Sequence, residues 1–184
     1  MDLLTDLGKK YNTDKSPLAY DGDGHNYTPW YHEEFGDHRD KVKCVFELGI
    51  NAGASLFMWE EYFPNANIYG ADIHKSGLIN RGRICSQYVD QHDAQSLMNL
   101  RDKMAGIYFD LMIDDGNHCP EDQVLTVNIL ADRLAPGGRY VIEDIPYGRE
   151  EWVVDQILWP WKYTIIEFDR VKKSDDCIVV MERV

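Results

Sequence analysis

The chain has 184 residues, a length that suits one domain around a single hydrophobic core. Its 44% hydrophobic and 12% aromatic content excludes a disordered chain, and no apolar run approaches the roughly 18 residues of a membrane span. Lys and Arg number 19 against 32 Asp and Glu, and the resulting charge of −13 argues against a broad nucleic-acid or anionic-membrane surface.

The first forty residues, with Pro17, Gly22, Gly24 and Pro29, read as a helical and loop cap (1–40) on a core running from 41 to 184. Apolar strand-like runs then recur at 42–48, 67–73, 85–90, 109–113, 139–145, 163–168 and 177–181. They are nearly continuous rather than alternating, which predicts strands covered on both faces. Segments 55–62, 94–104 and 120–134 carry apolar residues at helical spacing; the third opens on Pro120 and two acids and is followed by Pro136-Gly137-Gly138. Alternating strands and helices predict an α/β fold, a Rossmann-like, doubly wound sheet of seven strands. Between 168 and 177 lies only a short polar segment, too brief for a parallel crossover, so the last strand is expected to pair antiparallel. The N-terminus lacks a signal-peptide core, and Cys44, Cys85, Cys119 and Cys177 show no zinc-like spacing. Buried, reduced thiols in a cytoplasmic protein are the expectation.

The first strand runs into Glu47-Leu48-Gly49-Ile50-Asn51-Ala52-Gly53 before a helix. Two glycines allow a sharp turn and close approach of a ligand to free N–H groups. This is not the three-glycine pattern of a dinucleotide site. The second strand ends on Asp72, an acceptor suited to a ribose diol. Strand four ends in Asp114-Asp115-Gly116-Asn117-His118 and strand five in Glu143-Asp144. Neighbouring strand ends would bring these carboxylates to one crevice, where they need a compensating cation. Hard oxygen donors favour Mg²⁺, and a neutral imidazole at His118 is placed to accept a proton from a hydroxyl.

The glycine loop, Asp72 and the strand count together resemble the class I S-adenosylmethionine-dependent methyltransferases. That resemblance implies S-adenosyl-L-methionine as cofactor, with Gly49, Asn51 and Gly53 beside its methionine part. It further implies Glu47 supporting the loop, Asp72 on the ribose, Asp93 and Ala94 at the adenine, and Asp114 in support on the cofactor side. The Asp-x-x-His and Glu-Asp pair is similar to the Mg²⁺-dependent sugar O-methyltransferases, the macrocin, mycinamicin and rhamnosyl group. Carried over, Asp115, Glu143 and Asp144 are metal ligands and His118 the general base. Tyr11-Asn12-Thr13-Asp14-Lys15, with His25, Tyr27 and Tyr31, resembles the cap of that group. Lys15 would then face the cofactor, and His25, Tyr27 and Tyr31 a sugar or glycoside acceptor such as rhamnose in a glycan. Macrolide-type members carry an extra N-terminal domain, so oligomeric state and acceptor size do not carry over. A catechol-type small-molecule O-methyltransferase uses the same metal logic and stands as the alternative.

Overall fold

The computed structural model describes residues 2–168 and 175–183. Helices α1 (Leu3–Tyr11) and α2 (Tyr27–Phe35) form the cap. The core begins with β1 (Cys44–Leu48), α3 (Ala54–Tyr62), β2 (Asn67–Asp72), β3 (Asn80–Arg81) and β4 (Ile84–Tyr88). It continues with α4 (Ala94–Lys103), β5 (Phe109–Asp114), α5 (Pro120–Leu130), β6 (Leu134–Ile142), α6 (Glu150–Gln156), β7 (Lys162–Glu167) and β8 (Cys177–Glu182). The start of α1 is fixed by the Asp2 carboxylate, which accepts from the Thr5 N–H at 2.8 Å. Its end is fixed by Asn12, whose left-handed backbone (φ 55°) turns its N–H back onto the carbonyls of Gly8 and Lys9.

The strands form one sheet in the order β3-β4-β2-β1-β5-β6-β8-β7. β1, β2, β4, β5 and β6 run parallel, and β8 pairs antiparallel with both β6 and β7. The chain moves outward from β1 through β2 to β4, then returns to place β5 on the other side of β1. That reversal is the crevice where ligands bind in sheets of this kind. The register makes it a functional edge: Leu48 pairs with Ala71 and Asp114, and Asp114 with Ile142. Gly49, Asp72, Asp115 and Glu143 therefore leave the sheet side by side.

One core layer packs α1, α2 and α3 on the sheet through Leu4, Tyr31, Phe35, Leu56, Trp59, Val45, Ile113 and Val141. The opposite layer packs α4, α5 and α6 through Leu97, Leu100, Val127, Leu130 and Val153 on Phe46, Leu48, Met112 and Ile142. Each such enclosed apolar side chain contributes on the order of 1.5–3 kcal/mol of transfer free energy.

The fold departs from the sequence expectation in five places. The described sheet has eight strands, the extra one being Asn80–Arg81, folded back on β4 through Gly82 at φ 57°. Helix α5 stops at Leu130, not 134, because Leu134 is fully enclosed in the sheet opposite Phe109. The row shift between Phe109 and Leu111 then absorbs Pro136-Gly137-Gly138, so β6 begins earlier than expected. Helix α6 was not anticipated at all. Only Cys177 of the four thiols is buried, and Cys85 is exposed. Residues 169–174 of the polar segment before β8 lie outside the described residues.

Candidate active site

Strand alternation places Glu47, Asp115 and Glu143 on the face covered by the cap. Glu47 is fully buried; its Oε2 accepts from the Ser55 hydroxyl at 2.7 Å and the Trp59 indole N–H at 3.2 Å, tying the first turn of α3 to β1. Gly49 has φ 86°, and a Cβ there would lie 1.8 Å from the Asp115 carbonyl oxygen, so only glycine fits. Asp72 grips the loop that follows. Its Oδ2 accepts from the N–H groups of Ile50 at 2.9 Å and Asn51 at 2.8 Å, and its Oδ1 from His74 at 2.7 Å.

A cavity of about 710 Å³ opens above this edge, a volume typical of a small-molecule site. Gly49, Asn51, Asp72, His74, Asp90 and Gln91 line it on the strand side, Tyr11 to Asp14 and Tyr20 on the cap side, and Asp115 and His118 at one end. Asp93 and Ala94, expected at the adenine, do not line the cavity. Asp93 is exposed and caps α4 by accepting from the Gln95 N–H at 3.0 Å. Asp90 and Gln91, just before them, line it. Asp114 is likewise absent from the lining; it is fully buried and accepts from the Gln91 amide at 2.8 Å. Burial raises its carboxyl to about 7, against the opposing Gln91 bond.

Alternation would send Asp144 to the far face of the sheet. Instead its backbone turns left-handed (φ 54°), as does that of His118 (φ 55°). Such strain in non-glycine residues persists only where the surroundings enforce it, and it clusters at functional sites. The two turns bring His118 Nε2 to 3.2 Å from Asp115 Oδ1 and 3.4 Å from Asp144 Oδ2. One ligand atom each from Asp115, His118 and Asp144 all lie within 4.8 Å of one another, the metal-type group found among the described residues. Burial lowers the His118 imidazole, but Asp115 and Asp144 outweigh it and push it up to about 9. Burial raises Asp144 to about 6, chiefly with Asp115 adding to the effect. Asp115 stays below the usual carboxylate value because Lys15 and His118 outweigh its burial.

Glu143 is turned the other way. Its Oε1 accepts from the Tyr31 hydroxyl at 2.6 Å and its Oε2 touches the Lys15 ammonium. Burial holds its carboxyl well above the ordinary value, with Lys15 opposing. The cap residues thus meet the acids rather than the open cavity. Tyr27 donates to Asp144 Oδ1 at 2.5 Å, and His25 Nδ1 lies 3.4 Å from the same oxygen and 3.2 Å from Asp176. Tyr27 and Tyr31, expected to face an acceptor, are fully enclosed beside the acids. Lys15, expected toward the cofactor, is also outside the cavity lining. Sequence reasoning missed His74 and Asp90, whose only signal is their place just past the ends of two parallel strands.

No family model matches the chain. It is 34% identical over 149 residues to the 8-demethyl-8-alpha-L-rhamnosyl tetracenomycin-C 2'-O-methyltransferase of Streptomyces olivaceus, covering 77% of this chain and 37% of that protein. It is 36% identical over 151 residues to the mycinamicin VI 2''-O-methyltransferase of Micromonospora griseorubida, covering 77% and 36%. This chain is a homologue of the sugar O-methyltransferases. The homologue spans little more than a third of the length of these curated relatives. Among solved structures, it superposes with a TM-score of 0.75 and 25% identity on MycE methyltransferase from the mycinamycin pathway, in complex with Mg, SAH and mycinamycin VI. That match covers 98% of this chain and 54% of the other. The sheet is the Rossmann-like sheet of class I methyltransferases.

Proposed function

We propose that this sugar O-methyltransferase homologue transfers a methyl group from S-adenosyl-L-methionine to a hydroxyl of a sugar, rhamnose or another deoxyhexose of a glycan or glycoside. The observation that carries the reading is the convergence of Asp115, His118 and Asp144 at the end of a cavity built on the glycine loop. The solved MycE complexes, which contain Mg and SAH, support the same pairing of ion and cofactor.

The residues present fit both groups. The glycine loop leaves no Cβ between backbone and donor, and Asp72 stands at the cavity wall for a ribose. Asp115 and Asp144 offer oxygen donors suited to Mg²⁺, and Glu143 is close enough to share Lys15 with Asp115. When bound, the ion would acidify and orient the acceptor hydroxyl. His118 Nε2, left neutral once the ion offsets the charge of Asp115 and Asp144, would take up the hydroxyl proton as the oxygen bonds to the donor methyl and its carbon–sulfur bond breaks, releasing S-adenosylhomocysteine. Asp115 and Asp144 hold that imidazole in place, and the loop holds the donor in line with the acceptor. Tyr27 and His25 fix Asp144; Tyr31 fixes Glu143. No helix of the described residues is long and apolar enough to cross a membrane, and the unbridged thiols of Cys44, Cys85 and Cys119 fit a reducing, cytoplasmic setting.

The test is methyl transfer from labelled donor to a panel of rhamnosides and other glycosides, with and without Mg²⁺. Transfer that needs the ion and a sugar supports the reading. Turnover undiminished in excess EDTA removes the ion from it, and transfer to catechols alone removes the sugar.

A further inference from the structure

The acid cluster at the ends of β1, β5 and β6 contains two positions for positive charge, and the chain fills one of them itself. Lys15 Nζ lies 2.6 Å from Asp115 Oδ2, 3.1 Å from Glu47 Oε1, and in contact with Glu143 Oε2. Its side chain is only 1% exposed. Glu47 Oε1 has no hydrogen-bond partner despite complete burial, so the neighbouring ammonium is what compensates it. Asp115 directs its other oxygen, Oδ1, toward His118 and the Asp144 carboxylate. One carboxylate therefore bridges two cation positions. The closed one is occupied by Lys15; the other opens at the cavity between Asp115, His118 and Asp144.

Carboxylate-bridged pairs of this kind ordinarily hold two divalent ions about 3.5–4 Å apart. We infer that Lys15 stands in the place of a second divalent ion and so restricts the site to one. An ammonium supplies a compact positive charge and three donors for three carboxylates, and it cannot dissociate. Removing it leaves Glu47 and Glu143 buried with no positive charge beside them, a state that a second cation would relieve. Lys15 is on this account a positioning residue, and the inference rests on the proposal that the open position takes an ion.

The experiment counts Mn²⁺ bound to the full chain by calorimetry and reads its electron paramagnetic resonance spectrum. The wild type and Lys15→Arg should each bind one Mn²⁺ with the spectrum of an isolated ion. Lys15→Ser, which leaves space and no charge, should bind two, with spin coupling between them. Where Lys15→Ser is unfolded without metal, circular dichroism should show it folding as Mn²⁺ is added. A folded Lys15→Ser that binds one ion overturns the inference. So does a Lys15→Ser that stays unfolded in saturating Mn²⁺, since a second ion then does not replace the lysine. A wild type without bound Mn²⁺ refutes the ion in the proposed function; a Lys15→Ser variant that then binds one keeps the present inference, and one that binds none ends both.

Discussion

Asp72→Ala separates two jobs that an acid at the end of β2 could perform. In the ion- and cofactor-free chain this carboxylate accepts from three backbone N–H groups, those of Ile50, Asn51 and His74, at 2.7–2.9 Å. A net bond to an ionised acceptor is worth about 1.5–3 kcal/mol, and a donor left bare inside protein costs a similar amount. Asp72 lines the cavity, so water reaches part of what alanine leaves behind. The expected loss is therefore about 2–4 kcal/mol rather than the sum of three bonds. For a chain of this length that lowers Tm by roughly 5–15 °C. Asp72→Asn keeps one oxygen for the Ile50–Asn51 pair and turns a donor toward His74, for about half the loss. Urea denaturation without ligand, with S-adenosylhomocysteine titrations alongside, measures both. A change below about 0.5 kcal/mol, the scale of an ordinary surface substitution, together with weakened ligand binding would refute the clamp and leave Asp72 a ligand contact alone.

Gly49→Ala should cost at least about 3 kcal/mol, since its Cβ meets the Asp115 carbonyl at 1.8 Å and its φ of 86° is strained for any L side chain; thermal melts decide this, and a variant within 1 °C of wild type would contradict it. His118→Ala should lower kcat by roughly 10²- to 10⁴-fold with S-adenosylhomocysteine affinity within twofold of wild type. An unchanged kcat removes the base assignment. Asp114 at about 7, Asp144 at about 6 and His118 at about 9 all hold their protons more tightly folded than unfolded. Stability from these groups is thus present at low pH and lost as pH rises through those values. Denaturation of the ion-free chain should show stability falling between about pH 4 and 9, most steeply near 5, where Asp114 and Asp144 both hold a proton only when folded; a rise over that interval would show that the three sites do not dominate.

The parallel strands, the glycine loop and the acids at the strand ends were legible in the sequence because each leaves a local mark. Continuous apolar runs betray strands covered on both sides, and glycines before an apolar helix betray a tight turn. What escaped depends on distant partners. Two polar residues, Asn80 and Arg81, form a strand only because β4 offers an edge. Leu134 fits a helical period as well as a strand, and the burial opposite Phe109 decides between them. Asp93 caps its helix, and the chain leaves the cavity wall after Gln91. Most of all, nothing near Lys15 in sequence foretells that it joins Asp115 and Glu143, residues 100 and 128 positions away.

Gly49 meets the Asp115 carbonyl with no side chain between them, and the Asp115 N–H in turn donates to the Leu48 carbonyl at 2.9 Å. The stretch of chain that would cradle the donor and the residue that would grip the ion are thus welded main chain to main chain. On the proposed function, the span across which a methyl group would travel is held there by peptide geometry. Pocket walls on the acceptor side are free to vary in shape while this ruler stays the same length, so new acceptors can be accommodated without resetting the distance of transfer.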